Sequence, residues 1–300
     1  HHVTRSLRHR FSSSLPRIRS NGDANSWGRR SAPHSASAPS PPTTGHLSAA
    51  GSEGGTIVGV NIPLLGRLLD LLPDDAWAES RHRRPYPRAG DPATRPVVLV
   101  HGAVGSRSNF TGVAAALKDA GHPVLSVSYG HHGTMPLRRN FTEVREKLAN
   151  IIADAGTVDL VGHSQGGLLA LAASGTPELQ GRVGRVVGIG ADFRGVTGFR
   201  RIMPLATRIV PAWRGHLADS PEMATLMNYA TRSTVPGTQI LTLRDPYIPA
   251  DRARAFTDED AASETPAHRG PTEVIEIDGI PHEKLPYSRW VGRLVAEALS

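Results

Sequence analysis

The chain has 300 residues, 39% hydrophobic and 20% charged, which suits one large α/β domain and excludes wholesale disorder. It contains no cysteine, so a disulfide framework, a thiolate metal site and a cysteine nucleophile are all excluded. The net charge of +7 resides almost wholly in residues 1–50, which hold seven arginines against the single acid Asp23, so the body gives no reason to expect a nucleic-acid partner. Aromatic residues, at 5%, are too few for a base-stacking platform.

In chain order, residues 1–55 are rich in Ser, Pro, Arg and Gly and lack apolar periodicity. They are expected to be a disordered basic tail preceding a domain over residues 56–300. No signal-peptide core or eighteen-residue apolar run is recognisable, so no transmembrane helix is expected. The default expectation is cytoplasmic, with a secreted or cell-envelope location as the alternative. Leu64, Leu65, Leu68, Leu69 and Leu72 are spaced as a short amphipathic helix that docks on the core or touches a lipid surface transiently.

From Pro96 onward, short β-branched runs alternate with helical stretches, which predicts a mostly parallel, doubly wound sheet. Strands are expected at Val97–Val100, Val124–Val127, Val158–Val161, Val186–Ile189, Gln239–Leu243 and Glu273–Ile277. Helices are expected around Phe110–Ala120, Phe141–Asp154, Gln165–Ala173 and Tyr287–Leu299. Residues 192–236 are too long for a plain crossover and are expected to form a cap or lid. Within them Ile202, Leu205, Ala206, Ile209 and Val210 make an apolar helical face that Pro211 is expected to end.

The chemistry concentrates at Val161-Gly162-His163-Ser164-Gln165-Gly166-Gly167. A Gly-x-Ser-x-Gly turn between strand and helix lifts a serine Oγ above the sheet, and Gly162 and Gly166 permit the close packing that the turn needs. Ser164 is the expected nucleophile. Two backbone N–H groups must hold the oxyanion of an acyl-transfer intermediate. Gln165 follows the nucleophile, and Ala103 lies in the turn after the first strand of the domain, His101-Gly102-Ala103. His101 itself is expected to have a structural, hydrogen-bonding role. Asp245, just beyond the strand ending at Leu243, is the expected acid; Asp251, further along the loop, and Asp278, four residues before the candidate base, are its rivals. His282, in a Gly/Pro loop after the last strand, is the expected base, whereas His268 lies in a polar loop before that strand. His131-His132 lack a third ligand at metal-binding spacing, so no metal is expected.

Val97–Gly105 with Ser108-Asn109-Phe110, the elbow around Ser164, Asp245 with Pro249, and His282 before Leu285-Pro286-Tyr287-Ser288 together resemble the α/β-hydrolase bacterial triacylglycerol lipases and esterases, the actinobacterial class 2 lipases in particular. The resemblance runs over about residues 90–300. It implies Ser164, Asp245 and His282 as catalytic residues, Ala103 and Gln165 as oxyanion donors, no cofactor, and a small-molecule or lipid ester as substrate. The alternatives within the fold are acyltransfer, thioester cleavage or a non-catalytic binding scaffold.

Overall fold

A computed structural model describes residues 3–7, 95–196, 210–249 and 272–300. The chain divides into two compact units, one of His1–Arg10 with Val60–Ser300 and one of Phe11–Gly59; the second lies wholly outside the described residues. So do the expected leucine-rich helix at 64–72, Asp251, His268 and the expected apolar face from Ile202 to Ile209.

Among the described residues, seven parallel strands make one sheet: β1 Val3–Leu7, β2 Val97–Val100, β3 Val124–Val127, β4 Val158–His163, β5 Val183–Ile189, β6 Gly237–Thr242 and β7 Thr272–Ile277. Their spatial order is β1-β7-β6-β5-β4-β2-β3. The six strands from Val97 onward are those expected. β1 is a correction to the reading of the first residues as disordered: Val3–Leu7 pairs in register with Glu273–Ile277. The composition rule weighs side-chain burial, but an edge strand draws its backbone hydrogen bonds from its neighbour whatever its composition.

Alternation along β2 shows how the sheet is covered on both faces. Val98 and Val100 join one apolar cluster, whereas Val97 and Leu99 join another, as period-two geometry requires. Helices α1 (Thr111–Asp119) and α6 (Arg289–Leu299) bury Val113, Leu117, Val291 and Val295 in the second cluster. On the opposite face lie α2 (Leu137–Ala155), α3 (Gln165–Ser174) and α5 (Pro221–Ala230). All ten residues of α3 are buried, which is why its sequence is apolar on every side. Among the described residues no helix is long and apolar enough to cross a membrane.

The expected cap segment takes two forms where it is described. Pro211 opens a helix, α4 (Pro211–Gly215), at a first-turn position where its missing N–H costs nothing. Further on, Ser220 caps α5 by accepting a bond from the Met223 N–H at 3.0 Å, and Met223, Leu226 and Ala230 of α5 join the core.

Candidate active site

β2 and β4 are neighbours, but the chain leaves β2 for β3 on one side and returns to β4 on the other. That reversal opens a crevice at the carboxyl ends of the two strands, where ligands bind in open α/β sheets. The loop after β2 carries Ala103, and the turn after β4 carries Ser164.

Ser164 has φ 52° and ψ −127°, a backbone conformation that costs a non-glycine residue on the order of 1–3 kcal/mol. Its surroundings fix it there. The Ser164 N–H donates to Ile189 O at 3.0 Å, and its carbonyl accepts from the Gly167 N–H at 2.9 Å. The turn is possible only because α3 approaches the sheet closely: a Cβ at Gly166 would fall 2.0 Å from the Val100 oxygen, and one at Gly162 would fall 2.3 Å from Gly167 N. On the β2 side, a Cβ at Gly102 would lie 3.0 Å from Ser164 Cβ, so the loop that carries Ala103 runs directly beside the serine.

Ala103, Ser164, Gln165 and His282 all line one cavity of about 390 Å³. Behind them, His282 Nδ1 donates to Asp245 Oδ2 at 2.6 Å, and both side chains are almost fully buried. The other carboxylate oxygen, Oδ1, accepts from the N–H groups of Tyr247 and Ile248, each at 2.9 Å. Pro246 therefore costs the loop nothing, since the donors come from the two residues after it. Tyr247 also sets its ring edge against His282, with centroids 5.4 Å apart. Asp278 is engaged elsewhere: it pairs with exposed Arg244 at 3.4 Å and accepts from the Gly279 N–H.

His282 reaches the cavity past the end of β5, where Gly190 has φ 55°; a Cβ there would lie 3.1 Å from His282 Nδ1 and 3.1 Å from Leu285 Cδ1.

Several neighbours were not anticipated from the sequence. His163 donates from Nε2 to the His282 carbonyl at 3.1 Å, and burial, together with the nearby His282 ring, holds its pKa well below the ordinary 6.5. It is therefore neutral at neutral pH and adds no positive charge beside His282. Asp192, Trp213 and His216 also line the cavity. Of these only Asp192, three residues past the end of β5, had a sequence signal: it stands beyond a strand's carboxyl end, as Asp245 does.

His101, His131 and His132 do not line this cavity. His101 Nδ1 donates to Gly102 O at 2.9 Å, and its ring stacks on Tyr129 at 4.4 Å. His131 and His132 occupy a tight turn at φ 46° and 61°. There His132 Nδ1 donates to Gly105 O at 3.0 Å, and the Gly105 N–H donates back to His132 O at 3.2 Å. This reciprocal pair clasps the loop after β2 from the β3 side. Both histidines line a second, polar cavity with Arg139, Glu143 and Lys147. Among the described residues, no three His, Asp or Glu side chains converge as a metal site.

Known proteins resemble the chain to different extents. A stretch of 103 residues is 32% identical to the sn-1-specific diacylglycerol lipase ABHD11 of Mus musculus, covering 31% of this chain and 34% of that protein. The match thus spans only about a third of the curated relative. The monoacylglycerol lipase of Paleococcus ferrophilus superposes with a TM-score of 0.51 at 18% identity, covering 68% of this chain and 95% of that one. A structure from the metagenome-derived lipolytic enzymes LipS and LipT gives 0.52 at 16% identity, covering 68% and 92%. At such identities the two structures speak for the fold alone. The family model described as "Alpha/beta hydrolase family" matches residues 97–297, two thirds of the sequence and every element that builds the cavity, and so the chain belongs to the alpha/beta hydrolase family.

Proposed function

We propose that the protein is a serine carboxylic-ester hydrolase of lipase or esterase type that acts on acyl esters or lipids through an acyl-enzyme. The observation that carries this reading is the strained Ser164 facing the same cavity as His282, whose Nδ1 is bonded to the buried Asp245 carboxylate. With its Nδ1 proton committed to Asp245, the imidazole keeps Nε2 free of a proton and able to act as base. His282 takes the Ser164 hydroxyl proton as Oγ attacks the ester carbonyl, and Asp245 stabilises the resulting imidazolium. The Ala103 and Gln165 amides hold the oxyanion. The tetrahedral intermediate collapses, the alcohol leaves with the proton from His282, and water releases the acid by the same steps. This chemistry needs no cofactor.

The family supports a hydrolase, and the lipase names of the relatives, with the class 2 lipase resemblance of the motifs, favour acylglycerol-like esters among its substrates. Hydrolysis of p-nitrophenyl esters from acetate to palmitate tests the reading, with covalent labelling by a fluorophosphonate alongside. Ser164→Ala is expected to abolish labelling and to lower turnover on the order of 10⁶-fold. Retention of a tenth of wild-type kcat in that variant overturns the assignment.

A further inference from the structure

The Gln165 backbone N–H has been given the oxyanion; its side chain belongs to a second set of bonds beneath the nucleophile. Gln165 is 1% exposed. Its Nε2 donates to Tyr129 Oη at 3.1 Å and to Gly133 O at 3.0 Å. The Tyr129 hydroxyl spends its own proton on His101 O at 2.5 Å, and burial raises its pKa, so it stays protonated and can only accept from Gln165. Both Nε2 hydrogens are thereby used, and the amide orientation follows from its partners. Oε1 must be the atom that meets His216 Nε2, at 2.8 Å. His216 therefore carries a proton on Nε2, and its Nδ1 bonds to Asp192 Oδ2.

The pair is delivered by a clasp. Val196 bridges to Leu217, and the Val196 N–H donates to His216 O at 2.8 Å, tying the strand-end segment that carries Asp192 to the one that carries His216. Gly215 packs on α2, where a Cβ would lie 2.5 Å from Leu137 Cβ. Gln165 is thus gripped from the β3 turn on one side and from this clasp on the other. Buried polar side chains are costly unless every bond is made, and an apolar residue of the same volume would fill the space at no such cost. A buried polar set attached directly to the oxyanion residue, kept although Asp192 Oδ1 is left without a hydrogen-bond partner, is therefore explained by positioning rather than by packing.

We propose that His216 and Asp192 form a second histidine–carboxylate pair in the cavity which moves no proton in the reaction but positions the oxyanion hole through the Gln165 side chain. The proposal rests on the ester-hydrolase reading of Ser164. Misplacing a backbone donor by a fraction of an ångström weakens transition-state binding and leaves ground-state binding nearly intact. The pair should therefore act on kcat and not on KM.

The test is a mutant cycle in the full chain, read with p-nitrophenyl butyrate and with inhibition by a trifluoromethyl ketone, whose adduct with Ser164 places an oxyanion in the hole. His216→Ala and Asp192→Ala are each expected to lower kcat 10- to 100-fold, to leave KM within about threefold, and to weaken trifluoromethyl ketone inhibition by the same factor as kcat/KM. Asp192→Asn is expected to recover at least tenfold of the Asp192→Ala loss. Its amide can donate to Nδ1 of a neutral His216 that keeps its Nε2 proton on Gln165. In a Gln165→Met background, which retains the backbone N–H, His216→Ala should have less than about threefold further effect. Effects of His216→Ala and Gln165→Met that multiply would overturn the proposal, as would a loss confined to KM. So would an Asp192→Asn variant no better than Asp192→Ala. Should His216→Ala not fold, the two Asp192 variants and their crosses with Gln165→Met decide alone. Activity that survives Ser164→Ala is the separate outcome that removes the ester-hydrolase reading itself.

Discussion

Replacing Asp245 by Asn should stop turnover while sparing the fold, and the hydrogen bonds around that carboxylate say why. Oδ1 accepts from two backbone N–H groups, Tyr247 and Ile248. An amide at this position must put its oxygen there, since its NH₂ would face two donors. The NH₂ group is then forced onto His282 Nδ1, now bonded to Oδ2. Nδ1 becomes an acceptor, the ring proton moves to Nε2, and the base is blocked before it meets the Ser164 proton. A wrong tautomer of this kind costs about 10⁴-fold in kcat, roughly 5.5 kcal/mol of transition-state stabilisation. KM should change little, because Asp245 does not line the cavity. The fold loses only the difference between charged and neutral hydrogen bonds, about 1–2 kcal/mol, or a Tm decrease of no more than about 8 °C. The assay is steady-state hydrolysis of a p-nitrophenyl ester with thermal melts of the same preparations, and Asp278→Asn as the control with unaltered kcat. A kcat for Asp245→Asn within tenfold of wild type refutes the argument, as does an Asp278→Asn effect that exceeds it.

Three further outcomes follow from the packing. Gly166→Ala puts a Cβ 2.0 Å from the Val100 oxygen and should cost about 3 kcal/mol or more in urea unfolding; an unchanged midpoint would mean that α3 can lift off the sheet. Arg95→Met strands the fully buried Asp159 carboxylate, which Arg95 now holds at 3.1 Å through both oxygens. It should cost about 3–5 kcal/mol, with Arg95→Met/Asp159→Leu recovering most of the loss; equal stability of the single and double variants would deny the pairing. Because the His163 pKa is depressed in the fold, the folded state stays neutral while the unfolded chain takes up a proton below its ordinary 6.5. His163 thus contributes stability that is present above that pH and lost as pH falls, with a slope approaching about 1.4 kcal/mol per pH unit. His163→Gln should flatten the dependence of unfolding free energy between about pH 6.5 and 5; parallel curves for variant and wild type would refute this.

The six strands from Val97 onward were legible because both faces of the sheet are covered, so the strands read as unbroken apolar runs. The ends were less so: β5 begins at Val183 rather than Val186, and α2 at Leu137 rather than Phe141. α5 carried a readable start, Ser220-Pro221-Glu222, but sat in a stretch set aside as a cap. The places of Ser164, Asp245 and His282 were visible because each follows a strand end in a fixed chain order, and Ser164 needs glycines at fixed offsets. The Asp192–His216–Gln165 set has no such offset. Its members are 24 and 51 residues apart, and only the folded clasp brings them together. β1 was invisible for a different reason, as its pairing is written in the open edge of β7.

Strand order makes the sheet a ruler for the reaction. The serine stands over β4 and the histidine loop rises from β7, three strand spacings away, or about 14 Å. Since the base cannot stretch across that gap, its loop has to lean back over β6 and β5, and it passes where Gly190 leaves room. One hydrogen atom in place of a side chain thus sets how far the histidine travels toward the serine. On the proposed mechanism position 190 carries no reacting group, yet a Cβ there would press within 3.1 Å of the histidine ring, so that the placement of the base leans on a group that is not there.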